Sequence, residues 1–151
     1  MTTSEPPLLS DPDLDRIRAT WSLAMSDPAR TSTLFYSTLF RLDPSTKPLF
    51  VGDLELQGRK LIQTLAFIVD HLDDLETLLP AAHDLAISHV SFGVTADQYD
   101  TVGAALIATL QKLLGAGFTP HDTKIWTDVY TVLATHMVRS AYGPDPAYTK
   151  G

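Results

Sequence analysis

The chain has 151 residues, 44% of them apolar, no cysteine and a formal charge of −7, with an isoelectric point near 5.0. That length and apolar content suit one domain with one core. The missing thiol excludes disulfides, thiolate zinc sites, iron–sulfur clusters and a cysteine nucleophile. The acidic balance repels phosphate backbones, so nucleic acid is not an expected partner. Residues 1–13 carry no basic region ahead of an apolar run, and charged or polar residues break every apolar stretch short of ~18 residues. A signal peptide and a membrane span are therefore not expected, and the expected location is the cytoplasm.

Every periodic segment reads as helix, and strand alternation is not evident. Residues 1–11 and 143–151, rich in proline and polar groups, read as flexible tails flanking a domain at 12–142. A first helix follows Pro12 and buries Ile17, Trp21 and Met25. Ser26-Asp27-Pro28 stops it and starts a second, which carries Leu34, Phe35, Leu39 and Phe40 toward the core. Asp43-Pro44 opens a very short third helix ending near Phe50. After Gly52-Asp53 a long helix extends to about Leu72, with Leu61, Leu65, Ile68 and Leu72 at helical spacing.

Residues 73–79 continue weakly helical until Pro80, and a shorter helix spans about Ala81 to Phe92, stopped by Gly93. Thr95 with Gln98 three positions on is a capping-box signature for a helix ending at Gly115. Thr119-Pro120 opens the last helix, to about Tyr142. The expected fold class is all-α, with seven or eight helices of unequal length.

The histidines are His71, His83, His89, His121 and His136, and no two are three or four apart, so no helical pair clamps a metal. Neither GxGxxG nor GxxxxGK[ST] occurs. What remains is a single ligand histidine in an apolar pocket, the arrangement haem needs.

Three stretches carry a resemblance. They are Leu34-Phe35-Tyr36-Ser37-Thr38-Leu39-Phe40 with Asp43-Pro44 and Pro48-Leu49-Phe50; Gln57-Gly58-Arg59-Lys60-Leu61; and Leu85-Ala86-Ile87-Ser88-His89 followed by Phe92-Gly93-Val94, Tyr99 and Val102-Gly103. In this order and spacing they resemble bacterial globins over residues 13–142, above all the globin domain of flavohaemoglobins and its single-domain relatives. The resemblance implies a globin fold enclosing one haem b, with His89 as the iron ligand. The free ring nitrogen of His89 is then expected to donate to the carbonyl of Leu85 or to the Ser88 hydroxyl, fixing the tautomer. His83, six residues earlier and about 600° round the helix, faces elsewhere.

The resemblance places Tyr36 and Gln57 on the distal side as hydrogen-bond donors to a bound gas. Gln57 lies four and eight residues before Leu61 and Leu65, on one face with them. Gln is a poor iron ligand, so a second axial histidine is not expected. Phe50 resembles the phenylalanine that wedges the porphyrin. Leu61, Leu65, Val94, Val102 and Leu106 are expected to line the slot, and Lys60 and Arg59 are candidates to pair with a haem propionate.

One departure stands out. Bacterial globins of this type polarise the proximal histidine with a tyrosine, matched by Tyr99, and with a glutamate late in the last helix. No acidic residue occurs between Val129 and Pro144, and the glutamate's place falls near Ala141. The push that favours O–O chemistry is then weaker. Three functions remain open: reversible oxygen binding for storage or transport, nitric oxide dioxygenation with a separate reductase, and gas sensing. A flavin or nicotinamide module and an output domain are not expected from this sequence.

Overall fold

The computed structural model describes residues 9–50, 52–91 and 94–142. Six α-helices carry these residues: α1 (Asp11–Ala24), α2 (Pro28–Leu42), α3 (Leu54–Asp70), α4 (Leu75–Ser91), α5 (Ala96–Leu114) and α6 (Pro120–Tyr142). Short 3-10 turns occupy Pro44–Leu49 and Gly115–Gly117. No strand occurs among the described residues. The fold is all-α, and among the described residues no helix is long and apolar enough to cross a membrane.

Local chemistry sets most helix starts. Ser10 accepts from the N–H of Asp13, Asp27 from Arg30, and Asp53 from Glu55, each meeting one of the orphan donors of a first turn. The Gln98 side chain accepts from the Thr95 N–H at 2.9 Å, as the capping box requires. Gly115, at φ +52°, ends α5 in a backbone region that costs a side chain strain. Leu9, ahead of α1, already packs against the core.

Two expectations are corrected. Pro80 does not start a new helix: α4 continues through it from Leu75 to Ser91. Proline lacks an N–H and clashes with the preceding turn, but α4 lies along α6, and His136 on α6 bonds the Leu79 carbonyl at 3.2 Å beside the proline. Tertiary packing overrides the local rule. The predicted stop of this helix at Phe92 and Gly93 falls outside the described residues. Leu34 stays half-exposed in a surface groove beside Arg30 and Lys112, while Phe35, Tyr36, Thr38 and Leu39 take the buried face of α2.

The main core joins Ile17, Trp21, Phe35, Leu39, Leu78, Leu110, Ile125 and Trp126. Buried hydroxyls tie its helices together. Thr20 donates to the carbonyls of Arg16 and Ile17 and accepts from the indole of Trp126 at 2.9 Å. Thr31 reaches back from α2 to the Ala24 carbonyl at 2.7 Å. A second, smaller cluster of Ala82, Ala86, Tyr99 and Met137 sits where α4, α5 and α6 meet. Helix α3 packs on α2 and α4 on α6, so α3 and α4 face one another across a cleft.

Candidate functional site

The sequence-predicted residues fall into two groups on either side of this architecture. Tyr36, Phe50, Leu61, Leu65, Val102 and Leu106 belong to the main core or pack against it. Leu85, Val94 and Tyr99 belong to the second cluster, and the His89 ring lies 6.1 Å from that of Tyr99 at 49°.

His89 sits in the last turn of α4, and the Val94 N–H reaches back to its carbonyl at 3.1 Å. Burial holds the imidazole pKa below its ordinary value, opposed by the backbone of Leu85 one turn earlier. Nδ1 is fully buried and makes no well-formed hydrogen bond, although the Leu85 backbone acts on the ring. A neutral imidazole at pH 7 keeps a lone pair for a metal. Ser88 is exposed and lines the cleft beside it. His83 is exposed, as its position on the helix implies.

On the other side Tyr36 is almost fully buried among aromatic rings, edge-on to Phe35 at 5.4 Å and to Phe50 at 5.1 Å, and stacked on Phe40 at 5.9 Å. Burial pushes its phenol up to about 12, so the hydroxyl stays a donor across the physiological range. Gln57 is half-buried in the first turn of α3. Its neighbour Gly58 is where α3 meets α2: a Cβ there would stand 2.9 Å from Ser32 Oγ and 3.8 Å from Tyr36 Cε2. The missing side chain brings Gln57's turn against the turn that carries Tyr36. Lys60 is exposed, and the Arg59 guanidinium pairs with Glu55 at 2.9 Å. His71 caps the end of α3, its Nδ1 bonded to the Phe67 carbonyl at 2.8 Å.

Tyr130, which the sequence reading missed, and Gly103, quoted there only within the resemblance, hold this geometry. Tyr130 on α6 donates its hydroxyl to the Tyr99 carbonyl, and Gly103 makes room for its ring. No spacing rule links positions 31 residues apart; the signal is tertiary. Ala141, where the resemblance puts an acidic side chain, packs instead against the apolar cluster that contains Tyr99.

The globin family model matches residues 33–137. The flavohemoprotein of Chromobacterium violaceum is 29% identical over 135 residues, covering 87% of this chain, which spans 33% of that protein's length. The carbon monoxide form of haemoglobin from Mustelus griseus superposes with a TM-score of 0.72 at 23% identity, covering 85% of this chain and 97% of the other, which speaks to the fold.

Proposed function

This chain belongs to the globin family, and on that premise we propose that it holds haem b through His89 and binds oxygen reversibly beside Tyr36 and Gln57. The observation that carries the reading is the half-buried His89, its Nδ1 enclosed and its ring 6.1 Å from that of Tyr99, on the helix across the cleft from α3. Its donor chemistry fits haem: an imidazole kept uncharged by burial, its Nδ1 turned into the protein beside the Leu85 backbone. When bound, haem would supply a ferrous iron able to take a small gas.

The chain's own residues do the rest. Phe50, Leu61, Leu65, Val94, Val102 and Leu106 exclude water from an apolar slot, and Leu85 and Ser88 flank the proximal ligand. Tyr36 and Gln57 offer an O–H and an N–H toward an acceptor that gathers negative charge. With Arg59 engaged by Glu55, Lys60 is the cation left to meet a propionate at the rim.

Oxygen binding is favoured over O–O cleavage because Ala141 adds no carboxylate to the Tyr99 cluster. Nitric oxide dioxygenation with a separate reductase would use the same residues, and sustained nitric oxide consumption on adding such a reductase would favour it. The reading is tested with His89→Gly. The variant should lose the five-coordinate ferrous spectrum and regain it with free imidazole; an unchanged spectrum would overturn the assignment.

A further inference from the structure

Leu34, which the helical pattern sends toward the core, lies half-exposed in a groove that α2 forms with the end of α5. The groove encloses about 460 Å³ and shares no residue with those assigned to haem. That volume is within the range of small-molecule sites. Arg30, Leu34 and Ser37 follow one another at helical spacing along its α2 wall, with Thr33 beside them. Lys112 enters from α5.

The two cations of this groove have no counter-charge. The ion pairs among the described residues engage Arg16, Arg18, Arg59, His121 and Lys124, and neither Arg30 nor Lys112 takes part in one. Lys112 has a local reason for its place: it stands in the last turn of α5, where the helix dipole favours a cation. Arg30 has none, because it stands in the first turn of α2, at the positive end of that dipole. Asp27, the one acid in the lining, spends its carboxylate on capping the Arg30 N–H at 3.1 Å. Two cations from different helices, sharing a groove with an apolar side chain, match two anionic groups joined by an apolar spacer. The flat guanidinium suits a carboxylate, which it can hold through two parallel hydrogen bonds. We propose that this groove binds a short aliphatic dicarboxylate, with one carboxylate at Arg30, the other at Lys112 and the methylene chain on Leu34. The site stands on its own lining and does not require the haem assignment.

The test follows backbone amide shifts of the reduced, carbon monoxide-saturated protein during titration with glutarate, valerate, 1,5-pentanediol and sulfate at fixed ionic strength. Glutarate should shift the amides of residues 29–37 and of Lys112 along one saturating curve. Valerate, with one charge, should bind roughly threefold more weakly and the uncharged diol roughly tenfold, as exposed charge contacts allow. Sulfate, a dianion without a spacer, should also bind more weakly than glutarate. Arg30→Gln and Lys112→Gln, both at exposed positions, should each bring glutarate down to the level of valerate, and the double variant to that of the diol. Asp27→Asn keeps a capping side chain but removes the one negative charge of the lining, so glutarate should tighten about twofold. The absence of any saturable shift at these residues would overturn the proposal, as would glutarate binding that survives the double variant. Equal binding of glutarate and the diol would overturn it by removing the role of charge, and sulfate binding as tight as glutarate would do so by removing the role of the spacer.

Discussion

The hydroxyl of Tyr130 on α6 bonds the main-chain carbonyl of Tyr99 on α5, and its ring lies where a Cβ at Gly103 would come within 2.6 Å of it. The crossing of α5 and α6 is therefore fixed at the residue whose ring faces His89. Burial raises the phenol's pKa, with the neighbouring Tyr99 and Asp100 adding to it, so the hydroxyl remains a donor.

Tyr130→Phe removes this one bond and leaves the ring, so denaturant unfolding should show a loss of about 1 kcal/mol. In the haem-loaded protein the iron–histidine stretching band should broaden, because Tyr99 is released from α6. Gly103→Ala should cost about 1–3 kcal/mol by overpacking, and Tyr130→Leu in the same chain should recover part of it. Additive effects of the pair would show that the two sites do not meet.

Tyr36→Phe should speed oxygen release about tenfold or more, since a hydrogen bond to a charged acceptor contributes about 1.5–3 kcal/mol and about 1.4 kcal/mol is a factor of ten. Carbon monoxide, which gathers less charge, should respond less. Gln57→Leu should act in the same direction and more weakly. Flash photolysis with both gases measures this, and unchanged oxygen release in both variants would make the two residues structural only.

Gly58→Ala tests how α3 is seated. The new methyl would stand 2.9 Å from Ser32 Oγ and 3.1 Å from its Cβ, so α3 must move off α2 and carry Gln57 away from Tyr36. Oxygen release should quicken, with a stability loss of about 1–3 kcal/mol. Ser32→Gly in the same chain should restore both. Rescue of stability without rescue of oxygen release would separate the seating of α3 from the position of Gln57.

What could be read from the sequence was what local chemistry writes. Asp27-Pro28, Asp53 and the Thr95–Gln98 pair mark helix starts because a cap is satisfied within three residues. The apolar spacing of Ile17 and Trp21 marked a face that is in fact buried. Pro80 misled for the same reason: the local rule is to break a helix, and the packing that overrides it comes from His136, which bonds the Leu79 carbonyl from 57 residues away. Tyr130 was silent, and Gly58 and Gly103 entered only through the resemblance without their packing roles, since a glycine's empty space has meaning only once its neighbour in the fold is known. The resemblance carried the site residues where periodicity alone could offer five histidines and no choice among them.

Asp122, in the first turn of α6, ties that helix to α1 through Arg16. It is 1% exposed, accepts from Arg16 Nε on α1 at 2.9 Å, and exchanges hydrogen bonds with Thr119 at the start of α6. The Arg16 hydrogen bond is the main cause that holds its carboxyl at about 2 against an ordinary 3.8, with the Thr119 bonds assisting and burial opposing. Because the folded value is the lower one, this carboxylate stabilises the fold above about pH 4. That contribution declines as the pH falls toward 2. A shift of this size corresponds to roughly 2 kcal/mol. Asp122→Asn should therefore lower stability at pH 7 by about that amount, and the difference between variant and parent should shrink between pH 4 and pH 2. Urea titrations at pH 7, 4 and 3 measure it. A difference that stayed constant with pH would mean that Asp122 contributes through shape and hydrogen bonding alone, and that the Arg16 pair adds nothing that depends on charge.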